Sequence, residues 1–253
     1  MSFKSTIDVI QSTTASSMHW WRGTSTMVTS SQPEQPLQLY EFEACPYCRK
    51  VREVLTELDL DAMIYPCPKS GSRYRDIVIR EGGKAQFPYF VDPNTQTGMY
   101  ESEDIITYLR QTYGNNKSLK RLPAPLETVG ATLVSGIRPN AGRHARPSRK
   151  PQQPLELYSF ESSPYSRRVR EVLCELEIPY LLRNTGKALW RDMGPPQVRK
   201  MLFPKLPVKG RNRTRLLQRT GQVQVPYLID PNTGTEMFES DDIIAYLLQT
   251  YAD

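Results

Sequence analysis

Apolar residues near position 40 first lie close together and then recur at helical spacing, which predicts a strand followed by a helix. The strand runs from Leu37 to Phe42 as a short apolar segment. The helix begins near Pro46, because a proline in the first turn costs no hydrogen bond. Its apolar residues are three or four positions apart: Val51, Val54, Leu55 and Leu58. We therefore expect Cys45 at the N-terminal end of this helix.

The same pattern continues to Tyr113 and completes a βαβαββα order. Gly82 and Gly83 are expected to end the second helix, and Ser102 to cap the third. Parallel pairing of the first two strands requires the helical crossover, whereas the last two strands can form a hairpin. The elements after the first helix are strands at 62–65, 89–91 and 99–100 and helices at 73–80 and from 102 onward.

The whole pattern occurs twice. LQLYEFEACPYCRKVREVLTEL at 37–58 returns as LELYSFESSPYSRRVREVLCEL at 155–176, with 15 of 22 positions identical. A second block, 88–113, returns at 226–251. The two offsets are 118 and 138, so the second copy carries an insertion of 20 residues between the blocks. Two copies of this length predict tandem α/β domains rather than a solenoid, which needs about three or more short units.

This repeat divides the chain into segments. Pro33 and Pro36 recur as Pro151 and Pro154, which suggests that each domain begins with its own lead-in segment. The segments are a mostly irregular N-terminal arm at 1–36, a first domain at 37–114, a basic linker at 115–154, and a second domain at 155–253 with a basic insert at about 187–219.

The net charge of +6 comes from two of these segments. Residues 115–154 hold eight Lys or Arg and one acid, residues 187–219 hold ten and one, and the remainder is acidic. Proline and glycine interrupt both segments and aromatic residues are scarce there, so we predict basic loops and no nucleic-acid partner. No apolar stretch approaches the roughly 20 residues of a membrane-spanning helix. Four cysteines do not suggest a disulfide-stapled scaffold.

The strongest chemical signal is Cys45-Pro46-Tyr47-Cys48, between a strand and a helix. A helix N-terminus stabilises a thiolate, which is the nucleophile in disulfide exchange. In a βαβ context this spacing indicates a redox motif, with Cys45 as the exposed attacking thiol and Cys48 as the resolving thiol. Half of a zinc site and two structural thiols are the alternatives. No metal site is predicted, because a second such motif and a spaced histidine pair are both missing.

Two further features lie beside this motif in the predicted fold. A proline at a strand entry cannot donate to the sheet, so Phe87-Pro88 suggests a cis bond that lets Phe87 pair with a peptide ligand. An ordinary strand-entry proline is the alternative. Glu101-Ser102 precedes a helix whose free N–H groups can bind a carboxylate, while Glu101 can hold an amine. A simple capped helix explains the second feature equally well.

The second copy keeps the frame but loses the thiols. Ser163 and Ser166 stand where the first copy has Cys45 and Cys48, so disulfide exchange is impossible there. Either this is a scaffold, or Ser163 is a hydrogen-bond donor in a second ligand site. The other residues of that possible site are Val225, Pro226, Glu239 and Ser240. The remaining cysteines, Cys67 and Cys174, are expected to be structural thiols.

Both copies resemble the thioredoxin-fold domain shared by glutaredoxins and the N-terminal half of glutathione transferases. The residues that carry the resemblance are CPYCRKVR at 45–52, FPYFVDP at 87–93 and YESEDIITYL at 100–109. CPYC is the glutaredoxin signature, and the whole chain is similar to tandem proteins of this type from cyanobacteria and plastids. The resemblance implies a reducing location, the bacterial cytoplasm, or the plastid if the source is a plant or alga.

Glutathione is the ligand that this resemblance implies. Cys45 would form the mixed disulfide, and Tyr47, Phe87 and Pro88 would line the site. The γ-glutamyl end would bind at Glu101 and Ser102. The chain departs from the pattern in two ways: a lysine often found shortly before CPYC is missing, and so is the helical C-terminal domain of full transferases. Ser163 resembles the serine of serine-type glutathione transferases.

These observations predict a glutathione-dependent thiol–disulfide oxidoreductase that acts on glutathione mixed disulfides or protein disulfides. One alternative is a module that binds glutathione, an iron–sulfur cluster or a protein partner without turnover. The other is a glutathione transferase or isomerase that acts on small electrophiles.

Overall fold

The computed structural model describes residues 9, 11, 13, 23–26, 31–114, 140–189, 201–202 and 207–253. Two copies of one unit, called half one and half two below, follow each other along the chain. Half one comprises β1 (Leu37–Glu41), α1 (Pro46–Glu57), β2 (Ala62–Pro66), α2 (Arg75–Gly82), β3 (Tyr89–Asp92), β4 (Thr97–Met99) and α3 (Ser102–Tyr113). Half two comprises β5 (Leu155–Ser159), α4 (Pro164–Glu175), β6 (Tyr180–Asn184), α5 (Arg211–Thr220), β7 (Tyr227–Asp230), β8 (Thr235–Phe238) and α6 (Ser240–Tyr251). The predicted α/β class and the βαβαββα order of both copies are confirmed.

The differences from the predicted elements are local. Helix α2 starts and ends two residues later than expected, and Gly83 closes it in the left-handed conformation with φ 84°. The segment predicted as a basic insert includes residues of α5, which is the counterpart of α2 and not a loop. Residues 190–200 and 203–206 of that insert, residues 115–139 of the linker and most of the 1–36 arm lie outside the described residues.

All eight named strands form one sheet in the order β4-β3-β1-β2-β6-β5-β7-β8. Within each half the first two strands are parallel, because a helix crosses between them, and the other two pair antiparallel. The halves join where β2 pairs antiparallel with β6, and Met63 lies opposite Leu181. These two residues differ by the repeat offset of 118, so a pseudo-two-fold axis passes through this pair.

The hydrophobic core does not stop at this junction. One cluster of buried apolar residues runs from α1 and α3 of half one to α4 and α6 of half two. It includes Leu39 and Leu55 in half one and their counterparts Leu157 and Leu173 in half two, all with no exposed surface. The two domains expected from the sequence therefore share one sheet and one core.

The segment that precedes each half along the chain contacts the opposite half. Residues 23–26, which precede half one, pair with half two through a bridge between Ser25 and Lys187. The segment before half two pairs with half one through a bridge between Lys69 and His144. Gly142 of this second segment lies against Glu43, since a Cβ on Gly142 would come within 2.7 Å of the Glu43 Cβ. Each half thus carries a short strap from the other half's lead-in segment.

Candidate functional site

Helix α1 begins at the CPYC motif, as the sequence predicted. Cys45 is the N-cap residue with an extended backbone (φ −76°, ψ 120°), and its Sγ accepts the Cys48 N–H at 3.3 Å. Pro46 fills the first turn, which contains no acidic residue that would oppose a thiolate. The first N–H groups of a helix have no carbonyl partner within the helix, so a sulfur atom at the N-cap can accept hydrogen bonds from them.

The environments of the two thiols drive their pKa values apart. The pKa of Cys45 is lowered, chiefly by a hydrogen bond from the Cys48 side chain and further by backbone N–H groups and the charge of Arg52, although burial opposes this. Burial raises the pKa of Cys48 well above its ordinary value, and the hydrogen bond to Cys45 raises it further. Cys45 is therefore the thiol of this pair that ionises first.

Cys45 is less exposed than the sequence suggested. We expected an exposed attacking thiol, but only 4% of the residue surface is accessible, against none for Cys48. The reason is the cap itself, because the side chain turns back over the first turn of α1 to accept the Cys48 N–H. Tyr47, two positions after Cys45, is 51% exposed. The motif therefore reaches the surface at Tyr47, whereas Cys45 is buried.

The Phe87–Pro88 peptide bond is cis, as predicted from the sequence. The Phe87 ring packs edge-on against Phe42, which lies three residues before Cys45, with centroids 6.3 Å apart. Arg75 lies over the Phe87 ring, with Cζ 4.6 Å from the ring centroid, and its Nη1 donates to the Cys67 carbonyl at 2.8 Å. The sequence analysis missed Arg75, whose only signal was a basic residue at the start of α2.

Glu101, and not Ser102, occupies the N-cap position of α3. Glu101 is exposed and has φ 62° and ψ 116°, a conformation that non-glycine residues rarely adopt. Its Oε1 accepts a hydrogen bond of 2.5 Å from Gln86 Nε2. Ser102 is the first helical residue and is buried, so the predicted serine cap is wrong. A strained residue next to a helix N-terminus is a frequent mark of a ligand site.

These parts belong to one region of half one. The Phe42–Phe87 contact joins the strand before Cys45 to the cis-proline segment. Lys50 on α1 lies 2.5 Å from the Glu103 carboxylate in the first turn of α3. Cys67 is fully buried in a separate tyrosine-rich cluster, and burial raises its pKa well above the ordinary value, in agreement with a structural thiol.

Half two reproduces this arrangement with Ser163 and Ser166 in place of Cys45 and Cys48. Ser163 caps α4 and accepts the Ser166 N–H at 3.3 Å, and the Val225–Pro226 bond is cis. Glu239 has φ 65° and ψ 117° and accepts 2.5 Å from Gln224 Nε2, as Glu101 does from Gln86. The structure therefore places all five residues predicted for the second site in the same backbone arrangement as their counterparts in half one. Ser240 is buried, as Ser102 is, and its Oγ accepts a hydrogen bond from Arg168 Nη1 at 3.2 Å.

A buried ion cluster connects the two halves behind the motifs. Arg52 on α1 donates to Glu41 of its own half and, at 2.9 Å, to Glu161 of half two. Arg170 on α4 makes the reciprocal contact with Glu43, at 2.9 Å. All five side chains are at most 4% exposed. The sequence analysis missed this cluster, because isolated charged residues usually lie at the surface.

Two negative findings apply to the described residues. Within them, no three His, Cys, Asp or Glu side chains are grouped as a metal site would require. None of the helices found there is long and apolar enough to cross a membrane.

Residues 39–117 and 157–253 match the family described as glutathione S-transferase, N-terminal domain. Similar solved structures include the Bombyx mori glutathione transferase BmGSTD1 complexed with GTT, at 25% identity and a TM-score of 0.32 over 39% of this chain and 46% of that one. Another is a Nilaparvata lugens delta-class glutathione transferase, at 26% identity and a TM-score of 0.29 over 37% and 43%. The chain thus covers less than half the length of these transferases. No curated protein matches the chain.

Proposed function

We propose that this chain, which belongs to the family of glutathione S-transferase N-terminal domains, is a glutathione-linked thiol–disulfide oxidoreductase of the glutaredoxin type with Cys45 as its nucleophile. The observation that carries the proposal is that the pKa values of the two CPYC thiols are shifted in opposite directions. Cys45 has a lowered pKa and accepts hydrogen bonds, whereas Cys48 has a raised pKa and no exposed surface. A pair arranged in this way has one nucleophile and one protonated resolving thiol.

The reaction is a sequence of two thiol–disulfide exchanges. The Cys45 thiolate attacks the glutathione sulfur of a mixed disulfide, the substrate thiolate leaves and takes a proton, and Cys45 becomes bonded to glutathione. The thiolate of a second glutathione then attacks that sulfur, so oxidised glutathione leaves and the Cys45 thiolate is restored. Cys48 can replace the second glutathione and form a Cys45–Cys48 disulfide.

Glutathione binding is proposed for the region beside the motif. The backbone at Phe87 and Pro88 would pair with the cysteinyl unit, next to the exposed ring of Tyr47. Glu101 and Ser102 would receive the γ-glutamyl end, since the start of α3 offers N–H groups for its carboxylate and Glu101 an oxygen for its amine. Gln86 supports this role by fixing one oxygen of the Glu101 carboxylate.

A second activity, that of a glutathione transferase, is proposed for half two on one specific observation. Ser163 Oγ already accepts the Ser166 N–H, so its own proton is left to donate to a bound glutathione thiolate. The Glu239 and cis-proline geometry matches that of half one. The scaffold interpretation predicts no glutathione at this half.

The experiment is a set of three variants of the full-length protein. Purified wild type should reduce a glutathionylated peptide with glutathione as electron donor, Cys45→Ser should reduce turnover to background, and Cys48→Ser should retain the one-cysteine route. Ser163→Ala should leave disulfide reduction unchanged and abolish conjugation of glutathione to small electrophiles. Equal turnover by wild type and Cys45→Ser would overturn the oxidoreductase proposal. A coloured protein after anaerobic purification would instead favour the cluster-binding alternative.

A further inference from the structure

The two straps are held by the same backbone contacts. On half one, Lys69 exchanges backbone hydrogen bonds with Arg143 and Ala145, at 2.7 and 2.8 Å. Lys187, its counterpart at the repeat offset, makes the same pair of bonds with the strap on half two, at 2.7 and 3.0 Å. Side chains of the strap take no part in these bonds, so their chemistry is free to differ between the halves.

Only the strap on half one is charged. Residues 143–150, called the basic strap below, read RHARPSRK and contain four arginines or lysines, one histidine and no acid. The corresponding residues 24–32 read TSTMVTSSQ and contain no charge. The two segments correspond because each follows a glycine with positive φ, Gly142 or Gly23, and precedes a Pro-x-Gln-Pro sequence. Holding a strap in place therefore requires no charge, and the cations occur only beside the half that contains the CPYC motif.

Most of these cations are available to a partner. Arg146 pairs with Glu175 at 2.7 Å, and its side chain is still 56% exposed. Arg149 pairs with Asp253 at 3.7 Å, and its side chain is 65% exposed. Within the part of the chain that the structure describes, three further cations of the strap and its neighbour form no ion pair: Lys69, Arg143 and Lys150. Five cations and two acids give this set a net positive charge.

The strap adjoins the candidate site of half one at two points. A Cβ on Gly142 would lie 2.7 Å from the Glu43 Cβ, and Glu43 is two residues before the nucleophile. At the second point, Arg75 lies over the Phe87 ring, and its Nη1 donates to the carbonyl of the residue before Lys69 at 3.1 Å. A substrate chain bound at the nucleophile can therefore reach these cations within a few residues.

We propose that the basic strap and Lys69 bind an acidic segment of the protein whose disulfide Cys45 reduces. This inference rests on the proposed function of Cys45. The cations are spread along the strap, which forms one bridge with Lys69 of half one and another with Ala252 of half two. A row of this kind complements a run of aspartate or glutamate side chains better than it complements one small anion. The strap has no aromatic residue on which a base could stack, which favours an acidic protein over a nucleic acid.

The strap is expected to act on association. Exposed charges steer a partner of opposite charge and change its association rate, whereas they contribute little to a chemical step at some distance. The strap should therefore raise kcat/KM for acidic substrates and leave kcat nearly unchanged. The advantage should decline as salt is added, because the screening length is only about 10 Å at 0.1 M ionic strength.

The test measures kcat/KM of the full-length protein for glutathionylated peptides of one length, whose residues around the cysteine are acidic, neutral or basic. The strap variant is Arg143→Thr with Lys150→Gln, in which the threonine copies Thr24 of the uncharged strap. The charge-reversal variant is Arg143→Glu with Lys150→Glu. The control is Lys209→Gln with Arg215→Gln, since it removes the same number of cations from exposed positions in half two.

Wild type and the control should prefer the acidic peptide to the neutral one, and the neutral peptide to the basic one. At low ionic strength the strap variant should lose about 3- to 30-fold in kcat/KM on the acidic peptide. The charge-reversal variant should prefer the basic peptide, a gain that a misfolded protein cannot show. The same preference in wild type and the strap variant would overturn the inference. So would a strap variant that loses affinity for a single-stranded RNA oligonucleotide and keeps its rate on the acidic peptide.

A binding measurement separates this inference from the proposed function. The acidic peptide is made with serine in place of its cysteine, so that it can bind but cannot react, and its Kd is measured for wild type and the strap variant. Binding that depends on the strap, without reduction of any glutathionylated peptide, would contradict only the proposed function. Reduction of all the peptides with equal kcat/KM would contradict only the inference.

Discussion

Arg170 holds the carboxylate of Glu43, which lies two residues before Cys45 in the opposite half, with Nη2 2.9 Å from Oε1. The pseudo-two-fold axis repeats this contact, because Arg52 Nε lies 2.9 Å from Glu161 Oε2, two residues before Ser163. Each half therefore fixes the loop that leads into the other half's candidate site. This relationship gives half two a role although serines replace the two CPYC thiols there.

We predict that Arg170→Met destabilises the whole protein by about 3–5 kcal/mol, because it leaves the buried Glu43 carboxylate without its main partner. Chemical denaturation should give one cooperative transition at a lower midpoint. Arg149→Met is the control, since the Arg149–Asp253 pair is exposed and should contribute at most about 1 kcal/mol. Adding Glu43→Leu to Arg170→Met should recover much of the loss. Equal stability of the Arg170 and Arg149 variants would show that the cluster does not join the halves.

The strap at Gly142 provides a second test of this junction. Gly142 has φ 66°, and a Cβ there would lie 2.7 Å from the Glu43 Cβ. Gly221 has φ 74° but no atom within 4 Å of such a Cβ. Both alanine variants incur the cost of a left-handed backbone, about 1–2 kcal/mol, and only Gly142→Ala adds a clash of about 1–3 kcal/mol. Thermal unfolding should rank Gly142→Ala as the less stable variant, and the reverse order would contradict the packing described here.

Replacing Glu101 with glycine should make the protein more stable and its binding of glutathione weaker. Glu101→Gly removes the cost of its positive φ, so the free energy of unfolding should rise by up to about 1–3 kcal/mol. The same change removes the oxygen proposed for the glutathione amine, so KM for glutathione should increase. Denaturant unfolding and steady-state kinetics on one sample measure both effects. A gain in stability with unchanged KM would remove Glu101 from the site.

The raised pKa of Asp59 predicts that the stability of the protein depends on pH. Burial raises its pKa to about 6, although Arg211 opposes this. Because the folded chain binds this proton more tightly than the unfolded chain does, stability from this group is present below about pH 4 and is lost as pH rises to about 6. Asp59 also has φ 51°, which asparagine tolerates well. Asp59→Asn should therefore be more stable than wild type at pH 7 and nearly equal to it at pH 4. A difference that does not change with pH would contradict this assignment.

The local features of the candidate site could be predicted from the sequence, and the long-range ones could not. The helix start at Cys45 and the cis bond at Pro88 follow from the proline positions and recur in half two. The Met63–Leu181 pairing joins residues 118 positions apart, and no local pattern reports such a contact. The burial of Arg52 was missed for the same reason, since its partner Glu161 belongs to the other half. A signal existed there, because the same acidic and basic positions recur in both copies.

The most direct test is the pH dependence of Cys45 alkylation in the folded wild type, followed by mass spectrometry so that Cys45 is distinguished from the three other cysteines. Free cysteine has a pKa of about 8.5. We predict that Cys45 is alkylated with a midpoint clearly below that value and ahead of the others. A midpoint at or above about 8.5, or a Cys45 that reacts only after unfolding, would contradict the account.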